Sequence, residues 1–583
     1  MSTDDRYREC LPLGELDADS PQLIQFDGRS IALFHHDGTV YAVDNRCPHM
    51  GFPLSKGTVD DGLLTCHWHH ARFELACGDT LDPWADDVQT FPVELRDGTV
   101  YVDPDPEPDV PPATHWRNRL VDGMQENLDL VTAKAIINLD DLGEGFSTPL
   151  AKAVEFGTRY RAGGWSSGLT ILAAMANLSE DLDHEEKLRA MYVGVSEVAD
   201  DCAGEAPRFP QHELGNGDLS NARLKSWFRD TCEVRDSDGA ERCLRTAAAA
   251  LPPEDLVEVL LAAATDHLYL DTGHTLDFVN KAIETLDHVG WDHAVDVLAS
   301  TVDRFTDATR SEERSQWRQP IDVATLCFDA HDALPDLVAA GRGRTWERPA
   351  DFVGTLLGDD PEAIVDALRD AIRDGATAEQ LTRAVALAAT HRVAQFATSN
   401  EFGDWNTVHH TFSYANAAHA LAARTDAVEA YRPCFDGAMS VYLDRFLNTP
   451  PAPVPEPGES DRDPADIRAA LLATFDEQGR VNDAGRLVGE HFDAGGDVAA
   501  LKRTLGEGLL REDAGFHTLQ NVEAAFRQNE FAETDAERRL PLIATARYMA
   551  AHFPTRRERE QTFTIARRLF RGEQIHGDET PAA

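Results

Sequence analysis

The sequence predicts an α+β multidomain protein, in which a small antiparallel β domain precedes a large all-α region with internal helical repeats. Short alternating apolar and polar runs, interrupted by Asp-Gly pairs, fill the chain before residue 104 and are typical of hairpins. After His115 the apolar residues instead recur three and four positions apart, which indicates amphipathic helices. Two proline-rich stretches punctuate the chain, and we interpret them as linkers.

The β elements follow from two matching patterns. The run Ser30–His36 is followed by Asp37-Gly38, and the run 91–95 is followed by Asp97-Gly98 and another apolar strand. The helical elements are predicted at 120–137, 169–178, 185–203, 254–264, 363–372 and 378–397. The complete expected division is a β domain at 1–104, a Pro/Asp linker at 105–114, a helical domain with duplicated units at 115–448, a Pro-rich linker at 449–464, a C-terminal helical block at 465–573 and a mobile tail at 574–583.

The composition constrains the environment and the partners. The chain of 583 residues carries 102 acidic and 54 basic residues, a formal charge of −48, and only seven of the basic residues are lysine. Such an acidic, lysine-poor surface suits a cytoplasm of very high salt, where carboxylates keep their hydration and their mutual repulsion is screened, so we expect a halophilic source. The charge argues against nucleic acid and anionic membrane as partners.

The chain is expected to be cytoplasmic. The first residues, Met1-Ser2-Thr3-Asp4-Asp5, lack a basic segment before an apolar run, and the sequence contains no uninterrupted apolar stretch of about 18 residues. Nine cysteines are scattered without a disulfide-like spacing, and we interpret them as reduced.

The strongest motif combines cysteine and histidine twice. Cys47-Pro48-His49 is followed, after sixteen residues, by Cys66-His67-Trp68-His69, so two short segments each offer one thiolate and one imidazole. A zinc ion is the alternative for such a donor set. Finger-type zinc sites, however, pair cysteine with cysteine and histidine with histidine, which disfavours zinc here.

The residues around the motif resemble the Rieske family. They are Asn45-Arg46-Cys47-Pro48-His49-Met50-Gly51-Phe52-Pro53-Leu54, His69-His70-Ala71-Arg72-Phe73 and Gly78-Asp79-Thr80-Leu81-Asp82-Pro83-Trp84. The resemblance implies a [2Fe-2S] cluster in which Cys47 and Cys66 hold one iron and His49 and His69 hold the other. It also implies that the last segment is a proline-containing loop covering the cluster.

The segments are most similar to ferredoxin-type Rieske domains. The respiratory-complex type carries an extra disulfide between the loops, whereas Trp68 stands at one of the corresponding places here. Ala71 and Phe73 stand where serine and tyrosine hydroxyls are expected in that type, so we predict a reduction potential near the low end of the Rieske range, about −150 mV. No nucleotide or flavin motif is present, so electrons are expected from an external reductase or ferredoxin-like donor.

The helical region contains an internal repeat. Residues 274–282 match 410–418 with the same His, Thr, Asn and Ala, each copy is followed by an Asp-Arg-Phe phrase, and a weaker third copy begins at His517. Duplicated helical units packed in a solenoid-like or pseudo-symmetric bundle are expected.

Two interpretations of the repeated histidines stay open. His274, His410 and His517 each precede threonine near an expected helix start, and on pseudo-symmetric helices they can converge on a non-haem metal, with His267, Asp271 and His391 nearby in sequence. Alternatively, duplication has preserved a capping or packing residue. The first interpretation predicts a second metal; the second predicts none.

The Asp-and-two-His iron motif of Rieske oxygenase large subunits is absent from the sequence, and the region is almost wholly helical. The duplicated helices with histidines at similar places resemble questin oxidase-like proteins, a helical family associated with oxidative ring opening. We therefore predict an electron-transfer oxidoreductase component that relays single electrons to a site in or docked on its helices. The alternatives are an oxygenase with its own metal or substrate pocket, and a redox sensor that binds a partner.

Overall fold

The structure is a computed structural model of the chain. It describes residues 6–17, 20–26, 28–108, 110–215, 219–573 and 575. The expected tail at 574–583 lies outside these residues except for Ile575.

The N-terminal part is built from antiparallel strands, as the alternating pattern predicts. The strands are β1 (Arg8–Pro12), β2 (Gln22–Phe26), β3 (Arg29–His36), β4 (Thr39–Asp44), β5 (Thr58–Asp60), β6 (Leu63–Thr65), β7 (Arg72–Glu74), β8 (Thr90–Phe91), β9 (Val93–Arg96) and β10 (Thr99–Val102). Three sheets form, with the orders β1-β10-β9, β2-β3-β4-β8 and β5-β6-β7. The small β5-β6-β7 sheet and the end of β4 carry the loops of the Cys-His motif.

The Asp-Gly pairs act as tight hairpin turns. Asp37 and Gly38 have φ of 47° and 76°, and Asp97 and Gly98 have φ of 49° and 79°. Two successive residues with positive φ define the turn type that matches the natural twist of a hairpin. The register His36↔Thr39 follows directly from this geometry.

The remainder is helical. The helices are α1 (Pro112–Gln125), α2 (Asp129–Asp141), α3 (Ser147–Arg159), α4 (Ser167–Leu178), α5 (His184–Cys202), α6 (Asn221–Glu233), α7 (Ser237–Ala250), α8 (Pro253–Ala264), α9 (His274–Val289), α10 (Ala294–Ala299), α11 (Asp303–Thr306), α12 (Val323–Gly341), α13 (Phe352–Leu356), α14 (Pro361–Arg373), α15 (Ala378–Ala394), α16 (Asp404–Ala422), α17 (Arg432–Leu443), α18 (Pro464–Thr474), α19 (Val481–Asp493), α20 (Val498–Leu510), α21 (Phe516–Glu530), α22 (Asp535–His552) and α23 (Glu558–Phe570). The fold class predicted from the sequence is thereby confirmed. None of the helices in the described part is long and apolar enough to cross a membrane.

One helix prediction needs correction. The segment expected as one helix at 120–137 is two helices, α1 and α2, because Asn127 adopts a left-handed conformation with φ of 52°. Asn tolerates this conformation better than most residues, and it ends a helix there.

The chain forms two compact units, Met1–Pro149 with Gln561–Ala583, and Leu150–Glu560. Within the second unit one apolar core contains residues of α4 and α5 together with residues of α18–α22. This core joins helices on both sides of the proline-rich segment 449–464. The expected linkers at 105–114 and 449–464 stay predictions.

Candidate metal centres

The first Cys-His segment is a closed loop at the end of β4. The backbone N–H of Cys47 donates to the carbonyl of Phe52 at 2.9 Å, and the N–H of Gly51 donates back to the Cys47 carbonyl at 2.7 Å. Gly51 has φ of 79°, which only glycine adopts at no steric cost. The loop therefore fixes Cys47 and His49 on a defined backbone.

The second segment, between β6 and β7, repeats this loop. The N–H of Cys66 donates to the Ala71 carbonyl at 2.8 Å, and the N–H of His70 donates to the Cys66 carbonyl at 3.1 Å. His70, the counterpart of Gly51, also has positive φ, 66°. The sequence pattern showed two similar donor pairs, and the structure shows that they stand on two copies of one backbone loop.

The two loops bring the four predicted ligands together. Cys47 and Cys66 are buried, at 2% and 1% exposure, and their thiols are close enough to shift each other's pKa. The rings of His49 and His69 lie with their centroids 4.9 Å apart, nearly perpendicular. Buried thiols on one side and partly accessible imidazoles on the other match the donor set of a Rieske cluster.

The protonation of these groups suits metal binding. The hydrogen bond from Cys47 lowers the pKa of the Cys66 thiol, while the same hydrogen bond and burial raise the pKa of Cys47. Burial, followed by the charge of Lys134, lowers the pKa of His49 to about 4. Burial also lowers the pKa of His69. The imidazoles are therefore neutral at neutral pH, the form that coordinates a metal.

The loop at 78–90 packs beside the donors. The Trp84 ring meets the His49 ring edge-on, with centroids 4.7 Å apart. Asp82 accepts from the Arg72 backbone N–H and from its guanidinium, both at 2.8 Å, and so fixes the start of this loop against β7. The resemblance implied a proline-containing cover, and Pro83-Trp84 occupies that place.

The N-terminal β domain is similar in sequence to one known domain family and to several known proteins. The sequence profile of the Rieske [2Fe-2S] domain matches residues 8–92. The chain is 42% identical over 74 residues to the 3-phenylpropionate/cinnamic acid dioxygenase ferredoxin subunit of Photorhabdus laumondii subsp. laumondii, covering 12% of this chain and 70% of that protein. It is 32% identical over 80 residues to the ferredoxin component of the naphthalene 1,2-dioxygenase/salicylate 5-hydroxylase systems of Ralstonia sp, covering 14% and 77%. The solved ferredoxin of Sphingomonas yanoikuyae B1 is 26% identical, with 17% and 98% covered and a TM-score of 0.16.

The chain belongs to the Rieske [2Fe-2S] domain family. Its N-terminal domain is of the ferredoxin type, which confirms the resemblance drawn from the sequence, and it makes the protein an iron-sulfur electron-transfer component. The family implies a [2Fe-2S] cluster, and the two buried thiols and two neutral imidazoles on neighbouring loops fit that group.

A second cluster of donors lies in the helical unit. His274 on α9, His410 on α16 and His517 on α21 each offer a nitrogen, and these atoms lie within 4.8 Å of one another. The Nε2 atoms of His410 and His517 are 3.0 Å apart. We name these three residues the three-histidine cluster. His274 and His517 stand at the starts of their helices as expected, whereas His410 lies in the second turn of α16, because that helix begins earlier, at Asp404.

The segment before His274 has an unusual backbone. Tyr269, Asp271 and Thr272 all have positive φ, at 44°, 50° and 57°, and Gly273 follows at 92°. Positive φ is rare for a β-branched residue such as threonine, and residues held in this region cluster at functional sites. The strain is offset locally, since the N–H of Asp271 donates to the Thr309 carbonyl at 2.8 Å.

The repeated threonines and Asp-Arg-Phe phrases serve one structural purpose. The Thr275 hydroxyl donates to the Arg304 carbonyl at 2.8 Å, and the Thr411 hydroxyl donates to the Asp444 carboxylate at 2.6 Å. In both copies the threonine that follows the histidine thus forms a hydrogen bond to the Asp-Arg-Phe segment further along the chain. These hydrogen bonds help to fix where α9 and α16 lie.

Three further candidate ligands predicted from the sequence, His267, His391 and Asp271, are not part of the three-histidine cluster. The two ring nitrogens of His267 each lie 2.7 Å from a carboxylate, of Glu233 and of Glu312. His391 lines a different cavity, of about 500 Å³. The negative charge of Asp271 partly opposes the fall in the pKa of His274. Among the described residues, however, the Asp271 carboxylate is not part of the group of neighbouring ligand atoms.

Sequence reasoning missed His409. It is fully buried beside His410, its ring centroid is 5.1 Å from that of His517, and its Nδ1 lies 3.3 Å from the Asn521 amide. Its Nε2 is buried without a hydrogen-bond partner among the described residues. The repeat could not reveal it, because the first copy has glycine, Gly273, at this position.

The three-histidine cluster is uncharged and has an adjacent cavity. Burial, followed by the neighbouring imidazoles, lowers the pKa of His410 to about 3, and burial lowers the pKa of His517 to about 4. Burial also lowers the pKa of His274. A cavity of about 250 Å³ is lined by His517, His552, Phe402, Phe516 and Phe553 among others. A small molecule in this cavity would contact one member of the cluster.

Proposed function

We propose that the protein relays single electrons, with Cys47, His49, Cys66 and His69 as the ligands of its [2Fe-2S] cluster. The observation that supports this assignment most strongly is the pair of matched loops, which present two buried thiols and two neighbouring imidazoles. Bound there, the cluster accepts and releases one electron at a time. The protein's own residues hold the donors rigidly, bury the thiol side and leave His69 exposed at the surface.

The electron donor is proposed to be a separate reductase or ferredoxin-like protein. The sequence carries no nucleotide or flavin motif. The relatives are ferredoxin components and subunits of dioxygenase systems by name. By analogy this domain receives electrons from a reductase and passes them to an oxygenase-type centre. A cytoplasm rich in salt is the proposed setting, supported by the net charge of −48.

Anaerobic reductive titration of the purified protein tests this function. We expect acid-labile sulfide equal to the cluster iron, and uptake of one electron for each pair of cluster irons. Zinc without labile sulfide would contradict the assignment and restore the zinc alternative.

We further propose that the three-histidine cluster binds a redox-active metal, which favours the oxygenase alternative. Two nitrogens that bind one ion at right angles, each at ~2.1 Å, lie ~3.0 Å from one another. The observed Nε2–Nε2 separation of His410 and His517 is 3.0 Å. Neutral imidazoles suit iron, copper, nickel and zinc, and an electron-supplying domain in the same chain favours a redox-active metal such as iron or copper over zinc, which has no redox chemistry.

The small number of protein ligands at this site supports a catalytic role. His274, His410 and His517 supply three donors, so further coordination positions stay available for a substrate or dioxygen, as in other open three-ligand sites. The cavity beside His517 provides space for a small molecule.

Metal analysis of single and triple variants distinguishes a metal site from a packing role. We expect His274→Gln, His410→Gln or His517→Gln each to remove most of the metal that exceeds the cluster iron, and the triple variant to lose little more, because shared ligands act as a unit. His419→Gln is the matched control, since His419 is a buried histidine of the same helix, α16, that lies 3.3 Å from the Gln528 amide instead. Unchanged metal with additive stability losses of about 0.5–2 kcal/mol would favour the structural interpretation.

A further inference from the structure

A lysine from outside the β domain reaches the first ligand loop. Lys134, on α2, donates from Nζ to the carbonyl of Pro48 at 2.6 Å, and Pro48 stands between Cys47 and His49. The same Nζ lies 3.1 Å from Oδ2 of Asp86, and the lysine side chain is 7% exposed. Burying an ammonium group is unfavourable unless it is paired, so the contact to the loop is a built feature of the fold.

The charges around Lys134 form a small network. Asp86, whose side chain is 8% exposed, also binds Arg119, with Nε 2.8 Å from Oδ1. Arg119 in turn lies 3.0 Å from Asp122 and donates to the carbonyls of Pro83 and Ala85. Asp86 is thus shared by two cations, and the second carboxylate of the network, Asp122, pairs with Arg119 and is half exposed, so solvent screens it. The ammonium is the member of this network that contacts the ligand loop.

We propose that Lys134 raises the reduction potential of the cluster by placing a buried positive charge against the Cys47–His49 loop. The proposal rests on the ligand assignment given above. An added electron makes the cluster more negative, so a nearby cation stabilises the reduced form over the oxidised form. Because the lysine is buried, mobile ions screen this interaction weakly, and it persists in concentrated salt.

Lys134 also bears on the potential expected from the sequence. Ala71 and Phe73 supply no hydroxyl near the cluster, which predicts a low potential. A charge supplied by α2 acts in the opposite direction, and its position is set by the fold rather than by the motif. Lys134 lies 86 positions after Pro48 along the chain, so the motif itself gives no sign of the contact.

Midpoint potentials of charge variants test the proposal, measured by spectroelectrochemistry in concentrated salt on full-length protein loaded with its cluster. We expect Lys134→Gln to weaken electron binding about tenfold, equivalent to a fall of about 59 mV for a one-electron couple, and Lys134→Arg to restore most of it. Lys56→Gln is the matched control, because Lys56 is an exposed lysine of the same domain, and we expect its potential to be unchanged. An unchanged potential in Lys134→Gln with full cluster content would overturn the proposal.

A second variant covers the case in which Lys134→Gln does not retain the cluster. Asp86→Asn removes the negative charge that offsets Lys134, so we expect a higher potential than in the unmodified protein. A potential that stays constant or falls would overturn the proposal. Failure of the ligand assignment is distinguishable, because the unmodified protein would then show either no labile sulfide or a reduced cluster without hyperfine coupling from histidine nitrogen.

Discussion

The two candidate metal centres differ in how the chain assembles them. The Cys47–His49 and Cys66–His69 segments are close in sequence, and each donor pair stands on its own closed loop. The three-histidine cluster instead takes one residue from each of α9, α16 and α21, which are separated by about a hundred residues or more. The first centre is thus defined by local backbone geometry, and the second by the packing of helices. This difference predicts that the two centres respond differently to mutation.

The largest expected effect is at the cluster. Cys66→Ser should abolish cluster binding, because an alkoxide is a poor substitute for a thiolate on ferric iron. Iron, labile sulfide and visible absorption of the purified variant measure the loss. Cys77→Ser is the control, since Cys77 is an exposed cysteine of the same domain and should leave all three values unchanged. Retention of a full cluster in Cys66→Ser would remove this residue from the ligand set.

The potential of the first centre should depend on pH. The ligand imidazoles carry ring protons that are held more tightly when the cluster is reduced, so the potential should fall as the pH rises from neutral to strongly alkaline values. The expected slope approaches about 59 mV per pH unit for each coupled proton. Protein-film voltammetry measures it. A potential that is constant over this range would exclude histidine ligands with free ring nitrogens.

Helix packing around the second centre should show its own pH dependence. Complete burial raises the pKa of Asp277 to about 7 from an ordinary value of 3.8, although Lys281 and a hydrogen bond from Gln520 oppose the rise. Because the folded-state pKa is the higher one, the stabilisation is fully present below about pH 4 and is lost as the pH rises through 7.

Asp277→Asn should remove this dependence. Gln520 donates to Oδ2 of Asp277 at 2.5 Å, and an asparagine oxygen can accept the same hydrogen bond. The free energy of unfolding of the unmodified protein should therefore fall relative to that of the variant between about pH 4 and 7, by on the order of 4 kcal/mol. Chemical denaturation across this range measures the difference. Parallel curves for the two proteins would show that Asp277 is ionised in the folded state.

The smallest expected effect is a difference in stability between variants of the two matched loops. Gly51→Ala should cost about 1–2 kcal/mol, because Gly51 has φ of 79° and an added Cβ would lie 3.2 Å from Nε of Arg46. At the equivalent place in the second loop His70 already has positive φ, so His70→Gly should leave stability equal or slightly higher. Thermal unfolding of both variants compares them. Equal losses would mean that the loops do not share one backbone design.

The Rieske domain could be predicted from the sequence because the information that specifies it is local. The spacing of Cys47, His49, Cys66 and His69, and turn pairs such as Asp37-Gly38, depend on neighbouring residues only. The approach of Lys134 to Pro48, and the place of His409 beside the three-histidine cluster, depend on helix packing over long stretches of chain. The matching segments pointed to the three histidines because each has histidine before threonine, but the match could not show that the three rings lie together.

Pulsed electron paramagnetic resonance of the reduced protein tests the ligand assignment most directly. We expect hyperfine coupling from the coordinating nitrogens of two histidines, and loss of that coupling together with the cluster in variants of His49 and His69. Uniform labelling of histidine with ¹⁵N should change the coupling and identify its source. A reduced cluster without nitrogen coupling would mean ligation by cysteine alone, and would contradict the assignment of Cys47, His49, Cys66 and His69 as its ligands.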